Sequence, residues 1–291
     1  MSSLQTSTAY VKVGCSLISI IQIKEFNTLS IIMSAFELKF LEIARLLKKS
    51  VLPQKTNLKK FRLGDHRDGG YIVAELEDDN YDALYSYGCD DNITFEDAFN
   101  EKYNKKCYVY DPFKGISNKP HYINYFKEGL AEDNFIDKDN IKFGTIDTHI
   151  EQNGHTECSN LIAQIDIEGS EWKVFANKIK YLRNFSQLLI EFHMPLLPDR
   201  FLRMEPFIKD VFEKLNEDFV CVHFHGNNAP LQPWLDGYFP RMFEVTYVRK
   251  DLIKEHSLET EPSPMEGLDY ACATDRPDII VNYWLNKRLY D

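Results

Sequence analysis

Acids and imidazoles able to move a proton or hold a cation recur at the ends of apolar runs in this 291-residue chain. Asp166 follows Leu161-Ile-Ala-Gln-Ile165, Glu191 and His193 close the run from Gln187, and His223 and His225 precede Asn227-Asn228. An acid that terminates an otherwise apolar strand needs compensation if it is buried, so Asp166 and Glu191 read as functional positions. Two chemistries suit them. Asp166, Glu191 and His193 form an oxygen-rich set fit for a divalent cation such as Mg²⁺ or Mn²⁺. Without a metal, Asp166, His193 or His225 can serve as a general base oriented by a neighbouring carboxylate. In an extended His-Phe-His run alternate side chains share a face, which puts His223 and His225 together, with His225 nearer the strand mouth.

These residues need strands to present them, and the chain supplies short apolar runs alternating with helical patterns. Strands are expected over Ala83–Tyr87, Cys107–Tyr110, Tyr122–Phe126, Leu161–Ile167, Gln187–Phe192, Phe219–Phe224 and Phe243–Arg249. Helices are expected over Phe95–Tyr103, Ser170–Asn177 and Glu205–Asn216. Strands separated in this way predict βαβ crossovers: an α/β fold with one doubly wound, Rossmann-like, mostly parallel sheet and helices on both faces. Runs apolar on both faces, at Leu161 and Gln187, fit its centre.

Ahead of this core, Ala35–Lys49 reads as an amphipathic helix, and Asp68-Gly69-Gly70 between apolar stretches reads as the turn of a β-hairpin. The charges around that turn could make a ligand-facing lip. The expected organisation is an N-terminal extension over 1–34 and a single domain over 35–291, with a helix region at 35–57 and a core at 58–285. Met33 is a plausible second chain start. The apolar run Val13–Ile23 falls short of the roughly 18 residues of a membrane span, and it lacks the flanks of a signal peptide. A cytoplasmic location is expected, with a secretory route left open.

A net charge of −11 and a pI near 5.3 exclude a protein-wide basic field, so no nucleic-acid partner is expected. Six cysteines with no C-x-x-C pair read as reduced thiols rather than a disulfide framework.

Open parallel sheets bind ligands beyond their C-terminal strand ends. The first such end, Gly88-Cys-Asp-Asp91, has one glycine, not G-x-G-x-x-G, and no Walker-type phosphate loop occurs in the chain. A dinucleotide and a nucleoside triphosphate are thereby disfavoured, which leaves a nucleoside without a phosphate chain. Asp111, ending the second strand, suits the ribose diol or alternatively the capping of a turn. Gly129 and Leu130, after the third strand, suit the adenine.

Asp166-Ile-Glu-Gly-Ser-Glu-Trp172, with the run before it, resembles the fourth-strand signature of FkbM-like and related class I S-adenosylmethionine-dependent methyltransferases. Phe61–Val73, Tyr85–Glu96 and Val222–Asn228 are similar to other blocks of that group, in the same order, and the resemblance spans about residues 58–285. The chain departs from it at the first loop, where acids follow Gly88 and many relatives carry more glycine. The resemblance implies a seven-stranded sheet whose last strand, Phe243–Arg249, runs antiparallel. It implies S-adenosyl-L-methionine as cofactor, held by Gly88, Asp111, Gly129, Leu130 and the Asp68-Gly69-Gly70 turn, and methylation of a hydroxyl on a sugar, glycan or other small acceptor. Two alternatives stand beside it. Nucleotide-sugar glycosyl transfer calls for D-x-D, whereas the chain has only Asp166-Ile-Glu168; a non-catalytic scaffold subunit would have little use for so many polar strand ends.

Overall fold

The computed structural model describes residues 38–39, 41–195, 198–230, 234–235 and 239–281. The chain divides into two compact units, Met1–Ile43 and Ala44–Asp291. The extension over 1–34, its apolar run and the start at Met33 lie outside the described residues; within the first unit, 38–39 and 41–43 are helical. The helix, α1 (residues 41–50), enters the second unit at Ala44. Everything that follows concerns this second unit.

Its centre is a seven-stranded sheet of β1 (Leu84–Tyr87), β2 (Cys107–Tyr110), β3 (Ile123–Phe126), β4 (Leu161–Ile165), β5 (Phe185–His193), β6 (Phe219–Asn227) and β7 (Met242–Arg249). The spatial order is β6-β7-β5-β4-β1-β2-β3. Neighbours pair in parallel except β7, which runs antiparallel to both β5 and β6. The doubly wound sheet and the reversed last strand match the expectation. Every residue of β4 and β5 is buried, as two-sided central strands require.

Helices α2 (Thr94–Tyr103), α3 (Ile146–Gln152), α4 (Glu171–Ala176), α5 (Pro198–Phe201) and α6 (Glu205–Asp218) connect the strands. Helix α6 buries Ile208, Val211, Phe212 and Leu215, an apolar stripe at helical spacing. It meets α4 over one face of the sheet, where the Trp172 ring lies 4.6 Å from Phe192 and 5.9 Å from Phe212. Helix α2 covers the other face with Phe95 and Phe99, and stops at Asn104, whose left-handed backbone (φ 53°) turns its N–H back to the Asn100 carbonyl.

On the α2 face lies the hairpin of Lys60–Gly64 and Gly70–Ala74. Buried polar side chains of the sheet fasten it there. Gln187 Nε2 donates to the Ala74 carbonyl (2.8 Å) and accepts from the Ala74 N–H at Oε1 (2.9 Å), while Thr246 Oγ1 donates to the Ile72 carbonyl (2.6 Å). This fixes Tyr71 over β4.

Several elements escaped the sequence pattern. Helix α3 has only two apolar residues in seven. A small sheet of Glu128–Leu130, Phe135–Ile136 and Lys142–Gly144 follows β3, and Gln54–Thr56 pairs with His256–Leu258. Strands of two or three residues are too short to show alternation. Among the described residues Cys89, Cys107, Cys158, Cys221 and Cys272 are free thiols, and no helix is long and apolar enough to cross a membrane.

Candidate active site

The sheet order reverses between β1 and β4, the place where a doubly wound sheet opens a crevice. A cavity of about 780 Å³ occupies it, bounded by the hairpin turn and by the loops leaving β1, β2 and β4. Of the residues expected to meet a cofactor, Asp68, Gly69, Gly88, Asp111, Gly129 and Leu130 line this wall, with Asp166 beside them. Gly70 lies behind it, closing the turn: a Cβ there would stand 1.8 Å from the Asp65 carbonyl oxygen.

Gly88 is obligatory on two grounds. Its φ is +79°, and a Cβ would lie 1.8 Å from the Asp166 carbonyl oxygen, so the exits of β1 and β4 touch backbone to backbone. Asp90 (φ 52°) and Glu168 (φ 57°) hold left-handed backbone in those same two loops, a strain characteristic of ligand-binding turns. The turn-capping alternative for Asp111 is visible directly. Oδ1 accepts from the N–H groups of Phe113 and Lys114 (both 2.8 Å), and Oδ2 from that of Asp90 (3.0 Å). One further acceptor position remains on Oδ2 for a ligand hydroxyl.

At the far end the wall becomes apolar. A Cβ on Gly129 would lie 2.4 Å from the Phe143 ring, and Phe113 stands 74% exposed at the rim. Glu128 faces away, receiving Lys142 Nζ at 2.8 Å and lying 3.1 Å from His149 Nε2. Backbone cradles without side chains, a spare carboxylate lone pair and an aromatic rim fit an adenosine-bearing cofactor.

The proton-handling residues divide. Asp166 Oδ2 accepts from the Tyr71 hydroxyl at 3.3 Å, while Oδ1 is buried with no hydrogen-bond partner. Burial, together with Glu171, Glu168 and Asp68, pushes its carboxyl up to about 7 against the pull of His193. His193 lies 3.4 Å (Nδ1) from Glu171, and 3.6 Å and 3.8 Å (Nε2) from Glu168 and Asp166. Burial alone would depress it, but the carboxylates of Glu171, Glu191 and Asp166 outweigh burial and raise it to about 10. Glu191 is pushed well up by burial and by Asp166; its Oε1 accepts from Asn227 Nδ2 at 2.7 Å.

Asp166, Glu191 and His193 do not converge as one ligand set. The potential ligand atoms that gather are those of Asp166, Glu171 and His193, and separately those of Asp68, Asp166 and Glu191. Both ring nitrogens of His193 already face carboxylates, Glu171 at Nδ1 and Glu168 and Asp166 at Nε2. His225 lies further off and is not on the cavity wall. Its Nε2 meets Asp278 (3.1 Å) and its Nδ1 is 3.8 Å from Glu244; despite burial, these acids raise it to about 10. His223 pairs with Asp269 at 2.8 Å.

Sequence reasoning missed Tyr71, Gln164, Glu96 and Glu171. Glu171 accepts the N–H groups of Ile167 (2.9 Å) and Gly169 (3.2 Å), which shapes the loop after β4. Its signal lay in the acid-rich segment after Asp166, where the expected helix Ser170–Asn177 begins. Trp172, at its side, donates Nε1 to the His193 carbonyl at 2.8 Å.

Comparison with known proteins agrees with this geometry. Residues 42–232 match the model of a family described as a methyltransferase domain. No curated protein matches the chain. A crystal structure assigned to an S-adenosylmethionine dependent methyltransferase from Listeria monocytogenes is similar at 11% identity and a TM-score of 0.34, covering 60% of this chain and 94% of that one. That score is too low to add weight, and the family match rests on its own. With a sheet of order β6-β7-β5-β4-β1-β2-β3 and a cofactor-shaped cavity at its switch point, the chain belongs to the methyltransferase-domain family and is a class I S-adenosylmethionine-dependent methyltransferase.

Proposed function

We propose that this enzyme methylates a hydroxyl of a sugar or glycan and that Asp166 takes the hydroxyl proton. When bound, S-adenosylmethionine supplies the electrophilic methyl carbon. The observation that carries the reading is the unpartnered, buried Oδ1 of Asp166 at the cavity wall. An alcohol is a weak nucleophile near neutrality and needs a base within hydrogen-bond reach. Tyr71 occupies the other carboxylate oxygen and so leaves Oδ1 for the acceptor. The charged His193 beside it favours the ionised carboxylate. Asp68 and Glu168 add acceptor oxygens on the same wall, suited to the several hydroxyls of a polyol. The similarity of the Phe61–Val73, Tyr85–Glu96 and Asp166–Trp172 blocks to FkbM-like methyltransferases supports oxygen as the methylated atom. A net charge of −11 supports a neutral acceptor over a polyanion. The free thiols support action in a reducing compartment, the cytoplasm.

Asp166 must be ionised to act. Because its carboxyl is raised to about 7, kcat/KM should climb by about tenfold per pH unit on the acid side of neutrality. A flat acid limb would remove Asp166 from the base role. The reading also needs no metal: dialysis against a chelator should leave turnover within about twofold. A loss restored by Mg²⁺ or Mn²⁺ would contradict it. The acceptor class is tested by incubating the protein with methyl-labelled cofactor and a panel of oligosaccharides, followed by mass spectrometry and glycosidic fragmentation. Label on a sugar oxygen is expected. Label recovered only on amines or thiols would overturn the acceptor assignment.

A further inference from the structure

Along the cavity wall and into the sheet behind it, five side chains from α2, β1, β4, the hairpin and the loop after β4 form one continuous hydrogen-bonded chain. Glu96 Oε1, in the first turn of α2, meets Ser86 Oγ of β1 in a short contact. Ser86 Oγ lies 2.8 Å from Gln164 Oε1 of β4. Gln164 Nε2 lies 2.9 Å from the Tyr71 hydroxyl of the hairpin, and that hydroxyl lies 3.3 Å from Asp166 Oδ2. Ser86, Glu96 and Gln164 are buried and Tyr71 is 5% exposed, so bulk water has little access to the chain short of its partly exposed Asp166 end.

The hydrogens can be counted. Four contacts need four hydrogens, and Ser86, the Gln164 amide and Tyr71 each place one in the chain. Ser86 makes the shortage explicit: it stands between two oxygens and has one hydrogen to give. Rotating the Gln164 amide by half a turn reverses every bond but leaves the total unchanged. The fourth hydrogen therefore sits on a terminal carboxyl, either Glu96 or Asp166.

The two ends are not equivalent. Asp166 is faced by His193 as well as by Glu171, Glu168, Asp68, Glu191 and Tyr71, and the imidazolium favours its ionised form. Glu96 is faced by Asp97, by the Tyr122 phenol and by the thiols of Cys89 and Cys107, none of them cationic. Its Oε2 is buried without a partner, an arrangement that costs a carboxylate far more than a neutral acid.

We propose that Glu96 is a positioning residue: it carries the chain's single carboxyl proton, which directs each bond toward Asp166 and leaves Asp166 an ionised base. Glu96 donates to Ser86, Ser86 to Gln164, Gln164 to Tyr71, and Tyr71 to Asp166 Oδ2. Burial, which pushes the Glu96 carboxyl up to about 7, agrees with this. Loss of that proton turns the Ser86 hydroxyl to Glu96 and deprives Gln164 Oε1 of its donor; the amide then turns over, giving its N–H to Ser86 and taking the Tyr71 hydrogen from Asp166. The kinetic consequence rests on Asp166 as base; the proton count does not.

Glu96→Gln tests it, because an amide N–H can donate to Ser86 as the protonated acid does. Infrared difference spectra near neutral pH, taken without cofactor or acceptor, read the proton directly. Glu96→Gln should remove one neutral-carboxyl C=O component from the wild-type spectrum, and Asp166→Asn should leave that component in place. A component lost in Asp166→Asn and kept in Glu96→Gln would put the proton on Asp166, and any other pattern would also overturn the proposal. In turnover, the wild-type rate should fall above neutrality by about tenfold per pH unit, and Glu96→Gln should flatten that limb while keeping the acid limb. A persisting alkaline limb would show that Glu96 does not set the direction. An inactive preparation still yields the infrared result, so failure of the methyl-transfer reading remains distinguishable.

Discussion

Asp166→Asn is expected to lower kcat by about a thousandfold, the usual contribution of a positioned general base, while the dissociation constant for S-adenosylmethionine moves by less than about threefold. The substitution is nearly isosteric. An asparagine Oδ1 still accepts from the Tyr71 hydroxyl, and His193 keeps Glu171 as its nearest carboxylate at 3.4 Å, so the loop after β4 retains its supports. What disappears is the buried carboxylate oxygen beside His193 that can take a proton from the acceptor. Steady-state kinetics beside calorimetric titration of the cofactor separates chemistry from binding. Equal losses in affinity and turnover would mean that Asp166 only shapes the pocket.

The second large effect should come from Gly88→Ala. The left-handed φ of +79° costs an alanine about 1 kcal/mol, and the methyl would stand 1.8 Å from the Asp166 carbonyl oxygen. That clash meets backbone on both sides and cannot be relieved by turning a side chain. Overpacking of this kind typically costs about 1–3 kcal/mol; with the backbone cost, the thermal midpoint should fall by roughly 4–16 °C in a domain of this size. Relief by parting the exits of β1 and β4 would widen the cavity floor, and cofactor affinity should fall by about a hundredfold. Thermal melts with and without S-adenosylmethionine check both parts. A variant that melts normally and still gains stability from the cofactor would show that the two loops need not touch.

Much of the frame was legible because burial on both faces leaves a plain signature. Leu161–Ile165 and Gln187–Phe192 are mostly apolar on both faces, broken only by Gln164, Gln187 and Glu191, and proved to be the central strands, the second running from Phe185 to His193. The Asp68-Gly69-Gly70 turn announced its hairpin through local backbone chemistry alone. The strand-end rule placed Gly88, Asp111, Gly129 and Asp166 on one cavity because topology, not side-chain detail, decides which strand ends meet.

Partners supplied by distant segments could not be read. Asp278 and Glu244 hold His225, 53 and 19 positions away in the chain, and turn an apparent base into a cation. Glu96 carries the ordinary mark of an acid in a first helical turn, yet α2 packs that face inward, where it meets Ser86. Gln164 and Tyr71 sit among apolar neighbours whose burial was expected; their hydrogen bonds exist only because Gln187 and Thr246 fix the hairpin over the sheet. Helix α3 depends on one cap, Thr145 Oγ1 accepting from the Thr148 N–H at 3.1 Å, and on two apolar residues, too weak a pattern to stand out.

The most direct test is a crystal structure with S-adenosylhomocysteine. The adenosine should lie between Gly88, Asp111 and Gly129, with the sulfur turned toward Asp166 across a gap that admits an acceptor oxygen within about 3 Å of the transferred methyl. A nucleoside bound outside this cavity, or a sulfur pointing away from Asp166, would contradict the account.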